Sequence, residues 1–375
     1  MNYKLLKIKP TDNTFFGTGN RFNYDISDVI KSRNIAYPST FFGAVFTALL
    51  SQNNDFREKF FRDKTYDEEE ILSLGQIYLY SEKENRTYIK APLDLFINEY
   101  KDIEYGYFKK IDGFSTSLNS NYYLDIDVKD ERLKDSFIRL KDFYKSYPNL
   151  QDYRLKVLNE NNIFAKNNKI GIGIDKNTKN VETGKLYKIQ QTEFINDEWS
   201  FVVEYDIDKD YLKRNYKTEV KLNDGFLKLG GENKVCKYKN IINDEIEEFS
   251  KTREENNSHL KKDTIYKIIL TSDSYFEKDI ENILNEDINI KLLGVVNDKP
   301  IYISGYDMKK RNGKEVKNEK GIKKSHKGYS AGTIFLIKNN AENINLDESI
   351  RKKNGTKGFN NYIAVECNNI EEVIK

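Results

Sequence analysis

The sequence predicts an α+β protein built from two domains. Its 375 residues suffice for two separate hydrophobic cores. Short alternating segments of the kind that form strands recur along the chain, and a few segments with helical character separate them. Apolar residues make up only 38% of the chain, but 26 Tyr and 22 Phe provide large side chains for the cores.

Charge and cysteine content exclude several classes of protein. The 62 basic and 60 acidic side chains nearly cancel, so any basic surface must be local. Cys236 and Cys367 lie far apart and outside any Cys/His cluster, which excludes a disulfide framework and argues against a zinc site. There is no signal-peptide core and no apolar run of about 18 residues. We therefore expect a cytoplasmic protein without a membrane segment.

The first domain, residues 1–242, opens with a strand and a helix. Residues Tyr3 to Lys9 alternate as a strand, and a glycine-containing loop follows in which Arg21 offers a planar cation. This loop suits nucleic-acid contact and an ordinary hairpin turn equally well. Ser39 or Thr40 is a good N-cap for the apolar helix that comes next, and the start of that helix is an anion site in principle.

We interpret the region from about 55 to 165 as a largely helical insertion in the first domain. Residues Asp130 to Leu158 are predicted to be helical because Leu133, Phe137 and Leu140 recur at helical spacing.

A long hairpin is predicted after the insertion. Residues Lys169 to Asp175 alternate isoleucine with glycine as one strand, and Leu186 to Phe194 return as its partner. The polar tip between them carries Lys176 and Lys179. Such a cationic hairpin suits contact with an RNA backbone, and a plain solvated loop is the alternative.

The glycine pair Gly230-Gly231 is the central feature of the sequence. Adjacent glycines permit positive φ angles and the close approach of a ligand backbone. Backbone N–H groups in such a turn could cradle phosphate, with help from Lys228, Asn233 and Lys234. An ordinary turn before the strand at Val235 is the alternative.

A charged linker, residues 243–263, is predicted to precede a second domain at 264–375. The second domain has a βαββαβ-like order, which is that of a ferredoxin-like or RRM-like sandwich. Its predicted strands are 265–271, 288–296, 301–306, 333–338 and 362–367, and its predicted helices are 275–285 and 346–353.

The loop from Lys309 to Lys327 is the most basic part of the chain. It holds nine Lys or Arg residues against Glu315 and Glu319, so its charge should attract phosphates. A solvated loop without a ligand is the alternative.

The residues that carry known catalytic chemistry are scarce. His259 and His326 are the only histidines, and each lies in a charge-rich loop. Phosphate-loop, zinc-protease, serine-hydrolase and EF-hand motifs do not occur. The Asp125/Asp127 and Asp206/Asp208 pairs are expected by chance among 60 acids. We expect a binding protein with no catalytic residue, metal or cofactor.

Four segments in this order resemble the RAMP superfamily of CRISPR effector proteins, and within it the third Cmr subunits of type III-B complexes. They are KPTDNTFFGTGNRF with YPSTFFGAVFTALL, KIGIGIDKNTKNVETGKLY, LGGENK, and YISGYD with the lysine-rich loop and YSAGTIFLIK. Together they span nearly the whole chain.

The resemblance implies two ferredoxin-like domains that face each other, with the glycine turn in the cleft between them. It implies a non-catalytic role in holding the 5′ handle of the guide RNA. The expected partners are this RNA, the large Cas polymerase-like subunit and the first RAMP subunit of the backbone filament. The expected RNA contacts are Arg21, Ser39, Thr40, Lys169, Lys176, Lys179, Lys228, Gly230, Gly231, Asn233, Lys234, Lys309, Lys310, Arg311, Lys323 and Lys324.

Three alternatives stay open at this point. The chain could be a repeat-RNA processing endoribonuclease on the same fold, which would need His259 or His326 near the glycine turn. It could be the equivalent handle-binding subunit of a type III-A or III-D complex. It could also be an assembly scaffold whose RNA contacts belong to other subunits.

Overall fold

The computed structural model describes residues 3–18, 29–63, 67–111, 121–126, 130–149, 155–175, 178, 180–288, 290–304, 325–342, 344, 346–351 and 355–370. The helices in this part of the chain are α1 (Pro38–Gln52), α2 (Asn54–Asp63), α3 (Glu68–Ile71), α4 (Lys209–Asn215), α5 (Asp244–Ser258), α6 (Ile280–Ile288) and α7 (Leu346–Ile350). None of these helices combines the length and apolar character that a membrane span requires.

The described strands in the first part of the chain are β1 (Lys4–Pro10), β2 (Val29–Ile30), β3 (Leu72–Ser81), β4 (Arg86–Lys90), β5 (Leu95–Ile97), β6 (Ile103–Tyr105), β7 (Tyr107–Lys110), β8 (Tyr122–Asp125), β9 (Glu131–Arg132), β10 (Ser136–Arg139), β11 (Val157–Asn159), β12 (Phe164–Ile174), β13 (Val181–Phe194), β14 (Trp199–Ile207), β15 (Gly225–Lys228) and β16 (Val235–Ile241). Those that follow are β17 (Ile265–Leu270), β18 (Ser274–Tyr275), β19 (Ile290–Val296), β20 (Ile301–Ile303), β21 (His326–Tyr329), β22 (Ile334–Asn339) and β23 (Tyr362–Glu366).

Two antiparallel sheets form the centre of the α+β fold. The large sheet has the order β11-β10-β4-β3-β14-β1-β16-β15, and the small sheet has the order β19-β22-β17-β23. The four strands in the middle of the large sheet lie in the order β3-β14-β1-β16. Counted along the chain, these are the second, third, first and fourth of the four strands. The small sheet, β19-β22-β17-β23, repeats this order. In both sheets helices lie between the first and second and between the third and fourth of these strands.

The two sheets face each other across a shared hydrophobic core. Strand alternation sends Leu5 and Val202 of the large sheet into this core, together with Ile269 and Leu336 of the small sheet. The opposite face of the large sheet packs on α1, α2 and α4, and the opposite face of the small sheet packs on α6 and α7. The result is four layers, helix, sheet, sheet and helix.

The prediction of a largely helical insertion was wrong. Apart from α2 and α3, the described residues of this region are mostly strands. Between 130 and 158 only 140–149 of the described residues are helical, ending in a π turn and a 3₁₀ turn. Leu133, Phe137 and Leu140 are buried as expected. The conformation differs because β10 pairs with β4, with Ile138 opposite Ile89, so sheet pairing overrides the helical spacing.

Some predicted elements between residues 243 and 306 differ from those observed. The charged segment 243–263 forms α5, whose Ile246 and Phe249 enter the core between the sheets. The predicted helix 275–285 begins only at Ile280, because residues 274–275 form β18. The predicted strand 301–306 is β20, which joins β18 and β21 in a separate sheet.

Candidate nucleic-acid interface

The glycine pair lies in a tight turn that connects β15 to β16. The Leu229 N–H donates to the Lys234 carbonyl at 2.9 Å and closes the turn. Gly230, Glu232 and Asn233 adopt φ angles of 78°, 58° and 55°, in the left-handed region that favours glycine and tolerates asparagine.

The space beside both glycines is filled by the N-terminal segment. A Cβ atom on Gly230 would lie 2.5 Å from the Phe15 carbonyl oxygen, and one on Gly231 would lie 2.8 Å from Phe15 Cδ1. The Gly231 N–H donates to the same carbonyl at 2.9 Å. The absence of side chains at the two glycines therefore makes room for Phe15 of the same protein. Close approach of a ligand is not needed to explain the glycine pair. RNA contact at Gly230 and Gly231 stays a prediction.

Substitution Gly230→Ala is expected to lower the free energy of unfolding by about 2 kcal/mol, because it combines a left-handed backbone with an overlap in a packed site. A urea titration measures this value. The matched control is Gly43→Ala on the exposed side of α1, where a new Cβ meets no heavy atom within 4 Å. The control should be neutral or stabilising by up to about 1 kcal/mol. Equal stability of the two variants would contradict this account of the turn.

Two of the predicted RNA-binding lysines form ion pairs with carboxylates of the protein itself. Lys234 Nζ lies 2.9 Å from Asp12 Oδ2, with the lysine side chain only 17% exposed. The hydrogen bond from Lys234 lowers the pKa of Asp12 below its usual value. Lys169 Nζ lies 3.3 Å from Glu232 Oε2, but the Lys169 side chain remains 58% exposed. A phosphate at either lysine would have to compete with these pairs.

Lys228 is the most available cation of the turn. It is exposed, and its Nζ lies 3.3 Å from Asn233 Oδ1. Among the described residues no carboxylate pairs with it. Lys228 and Asn233 together present an ammonium group and an amide on the outer side of the turn.

The hairpin β12–β13 lies against the same N-terminal segment. Thr14 and Thr192 exchange both backbone hydrogen bonds, at 2.7 and 2.8 Å. The Gln191 amide donates to Glu232 at 2.7 Å, which links the hairpin directly to the glycine turn. The turn, the segment around Phe15 and the hairpin therefore form one continuous surface.

A chain of contacts connects this surface to the second domain. The Phe16 N–H donates to Ser32 Oγ, and the Arg33 N–H donates to the Phe16 carbonyl, both at 2.9 Å. Arg33 pairs with Asp273, and its guanidinium lies 4.0 Å from the centre of the Tyr37 ring. A cleft of about 440 Å³ between the domains is lined by Ser32, Arg33 and Asp273, among others, but not by the turn.

The start of α1 lies beside the second domain. The helix begins at Pro38 with Tyr37 as N-cap and without a side-chain cap, so the prediction that Ser39 or Thr40 is the N-cap was wrong. Proline at the first position, with its fixed φ and no N–H to satisfy, explains why the helix starts at least two residues earlier than predicted. Ser39 is exposed and Thr40 half-buried in the first turn. The Tyr37 hydroxyl donates to the Tyr302 carbonyl at 3.1 Å.

The remaining predicted contacts lie outside the described residues. They are Arg21, Lys176, Lys179, Lys309, Lys310, Arg311, Lys323 and Lys324. The described strands that flank the lysine-rich loop do have a position, because Ile303 of β20 pairs with His326 of β21. Both ends of the loop therefore leave from the strand pair that contacts Tyr37.

The sequence matches one protein-family model over most of its length. The family model described as CRISPR-associated protein (Cas_Cmr3) matches residues 6–367. The chain belongs to the Cas_Cmr3 family. The match spans both sheets, so the family resemblance seen in the four sequence segments is confirmed.

Solved structures with some likeness to this Cas_Cmr3 chain include a type III-B Cmr-beta complex bound to cognate target RNA, with 16% identity over 89% of this chain and 86% of that chain and a TM-score of 0.48. The same complex bound to target RNA and AMPPnP gives 17% identity, the same coverage and a TM-score of 0.44. A CRISPR protein from Archaeoglobus fulgidus gives 11% identity over 98% of this chain and all of that one, with a TM-score of 0.26. No curated protein matches.

The two histidines and two cysteines of this Cas_Cmr3 chain lie in environments that have a structural explanation. His259 is the C-cap of α5 and contacts Ser258, and the His326 ring lies tilted against that of Tyr275 with ring centres 4.8 Å apart. Burial raises the pKa of the Cys236 thiol to about 12 and that of Cys367 to about 11, so both thiols stay protonated. Within the described ranges, no three His, Cys, Asp or Glu side chains are grouped as a metal site would need.

Sequence reasoning missed the residues that position the turn. Phe15 lies in the segment that the sequence predicts as a glycine-containing loop, and an aromatic pair followed by glycine is a signal of local packing. Asp12 and Glu232 were not singled out, because their lysine partners are 222 and 63 residues away in sequence.

Proposed function

We propose that this protein is a non-catalytic subunit of a type III-B CRISPR RNA-guided effector complex and binds the 5′ handle of the guide RNA. Membership of the Cas_Cmr3 family over residues 6–367 supports the assignment to such a complex. The observation that carries the binding role is the convergence of the glycine turn, the segment around Phe15 and the hairpin β12–β13 on one surface.

Each domain of the proposed subunit is of the ferredoxin-like type. The repeated strand order in the two sheets, with helices in equivalent places, supports this proposal. The two sheets then hold the RNA-facing loops at fixed positions relative to each other, because a single hydrophobic core lies between them.

The handle lies along the surface that starts at the glycine turn. Lys228, Asn233 and the exposed Lys169 contact its phosphates, while splayed bases stack on aromatic side chains. The path continues to the first turn of α1, where Ser39 is exposed and Tyr302 is 52% exposed. Arg21, the hairpin tip and the lysine-rich loop add further cations to this proposal.

The expected partners in this proposal are proteins of the same complex. The large Cas polymerase-like subunit and the first RAMP subunit of the backbone filament lie on either side, so this chain bridges them. The histidine environments support a role without catalysis, since His259 and His326 are both engaged in local structural contacts.

Binding of labelled handle RNA to the protein, together with its large-subunit partner, tests this proposal. The variant Lys169→Ala/Lys228→Ala should weaken binding by about tenfold and reduce the salt slope by about 1.4, since each lost phosphate contact on a single strand is worth about 0.7. The matched control is Lys209→Ala/Lys213→Ala, two exposed lysines of α4.

Affinity and salt slope equal to those of the α4 control would reject the assigned site. Site-specific cleavage of repeat RNA that a His326→Ala change abolishes would reject the non-catalytic role.

A further inference from the structure

The small sheet covers only part of the face of the large sheet that it packs against. Leu5 and Val202 on this face lie in the shared core. Towards the edge formed by β16 and β15, the same face is uncovered. We name the uncovered area the basic sheet patch, and it consists of Lys7, Lys9, Phe226, Lys237 and Lys239.

Strand register places these side chains side by side. Lys9 of β1 lies opposite Lys237 of β16, and Lys237 lies opposite Phe226 of β15. Lys7 lies opposite Lys239 in the next row. Cys236 and Tyr238, which alternate with the lysines of β16, are buried on the other face towards α1.

The charge of the patch is only partly balanced. Lys7 and Lys9 approach Glu82 at 2.8 and 3.9 Å, and the hydrogen bond from Lys7 is the main cause of the lowered pKa of Glu82. Lys237 and Lys239 are exposed and have no ion-pair partner within 4.0 Å among the described residues. Asp224 lies at the rim, where its side chain accepts a hydrogen bond from the Asn240 N–H.

Phe226 is the unusual member of this surface. Its ring is 64% exposed, on the edge strand of the sheet and beside Lys237. An exposed aromatic side chain beside lysines fits a nucleic acid, because the ring can stack on a base while the lysines contact phosphates. A protein partner fits less well, since lysine is depleted at the centres of protein interfaces.

We propose that the basic sheet patch binds single-stranded RNA, with a base stacked on Phe226 and consecutive phosphates at Lys237 and Lys239. These two lysines lie about 7 Å apart along one strand face, so one extended chain can contact both. The choice of RNA over other single strands rests on the proposed function.

Residues at the two ends of the basic sheet patch indicate the path of the bound RNA. Lys228 lies on the same strand face as Phe226, two residues nearer to the glycine turn, and so connects the patch with the proposed handle site. At the other end, β16 leads to α5, whose first turn carries Asp244, Glu245 and Glu247. This acidic turn repels phosphates, so the RNA runs from the patch towards the glycine turn.

Fluorescence anisotropy with a labelled uridine 15-mer and with handle RNA tests the patch on the full chain. Lys237→Ala/Lys239→Ala should weaken binding by about tenfold and reduce the salt slope by about 1.4. Phe226→Ala should weaken binding by about tenfold with an unchanged slope, because stacking releases no counterions. Lys209→Ala/Lys213→Ala on the opposite face is the control, and unchanged melting temperatures establish that all variants fold.

The outcomes separate this inference from the proposed function. If Lys169→Ala/Lys228→Ala weakens handle binding but the patch variants behave like the control, the patch proposal is wrong and the handle site stands. If only the patch variants weaken binding, the patch stands and the handle site as assigned fails. Patch variants that bind RNA normally but lose a partner subunit would make the patch a protein interface, which also overturns the proposal. A wild-type chain that binds neither RNA overturns both.

Discussion

Replacement of Lys267 by methionine is expected to lower the free energy of unfolding by about 3–5 kcal/mol. Lys267 on β17 is 1% exposed, and its ammonium group lies 3.1 Å from the fully buried Asp94 carboxylate. The Tyr147 hydroxyl donates to both oxygens of Asp94, at 2.7 and 2.8 Å. Methionine would leave the carboxylate in the core without its cation, and an unpaired buried charge is costly.

A urea titration followed by both fluorescence and circular dichroism measures this loss. The control is the double variant Lys267→Met/Asp94→Asn, which removes both charges and keeps an oxygen acceptor for Tyr147. It should be more stable than Lys267→Met alone, with a coupling energy of about 2–3 kcal/mol between the two positions. A loss below about 1 kcal/mol in the single variant, or additive effects in the double variant, would show that the pair is not coupled.

This ion pair matters for the proposed function because it joins the two domains. Asp94 precedes β5 in the first domain, whereas Lys267 is in the middle of the small sheet. A second link is formed by Gln76 of β3. Its side-chain amide donates to the Thr271 carbonyl at 2.7 Å and accepts from the Thr271 hydroxyl at 2.8 Å. The energy of hydrogen bonds and ion pairs depends on their geometry, unlike that of apolar contacts. These polar contacts therefore fix how the two sheets are rotated relative to each other. The position of Tyr302 beside the start of α1 depends on that rotation.

The strands could be predicted from sequence because their pattern is local. Residues Tyr3 to Lys9 alternate so regularly that the predicted strand agrees with β1 (Lys4–Pro10) to within one residue at each end. The helical prediction around Phe137 was wrong because the apolar residues there fit both the helical and the strand period. They are buried in either conformation, and only pairing with a strand almost 50 residues earlier decides in favour of β10.

The candidate site was only partly accessible to sequence reasoning. A glycine pair indicates a position that needs a special backbone or a close neighbour, but it does not name the neighbour. In this protein the neighbour is Phe15, more than 200 residues away. The ion pairs Lys234–Asp12 and Lys267–Asp94 were equally hidden, since charged residues make up 33% of the chain and each lysine has many formal partners. Phe226 was hidden because its exposure depends on which part of the sheet the second domain covers.

Replacement of Arg253 by methionine is expected to cost about 3–5 kcal/mol at pH 7.5 and clearly less at pH 5. Arg253 on α5 lies 3.1 Å from Glu204 of β14, and both side chains are buried. Burial alone would raise the pKa of Glu204, but the Arg253 guanidinium, the Gln76 N–H and the Tyr78 hydroxyl together hold that pKa below its usual value. In the wild-type protein this carboxylate therefore stabilises the fold above its unfolded pKa of about 4.3 and loses that contribution as the pH falls through the lowered value.

Without Arg253, the shift of the Glu204 pKa on folding changes sign. Burial then dominates, and the pKa of Glu204 in the folded variant rises above the unfolded value. The folded variant binds a proton more tightly than the unfolded chain, so its stability increases as the pH falls through the raised pKa. The difference between wild type and variant must shrink from pH 7.5 to pH 5, which urea titrations at both values measure. In the control Glu204→Gln/Arg253→Met, no carboxylate remains and the difference should not change with pH through this mechanism. A penalty for Arg253→Met that is equal at both pH values would mean that Glu204 does not become an isolated buried charge, and that the arginine acts through packing alone.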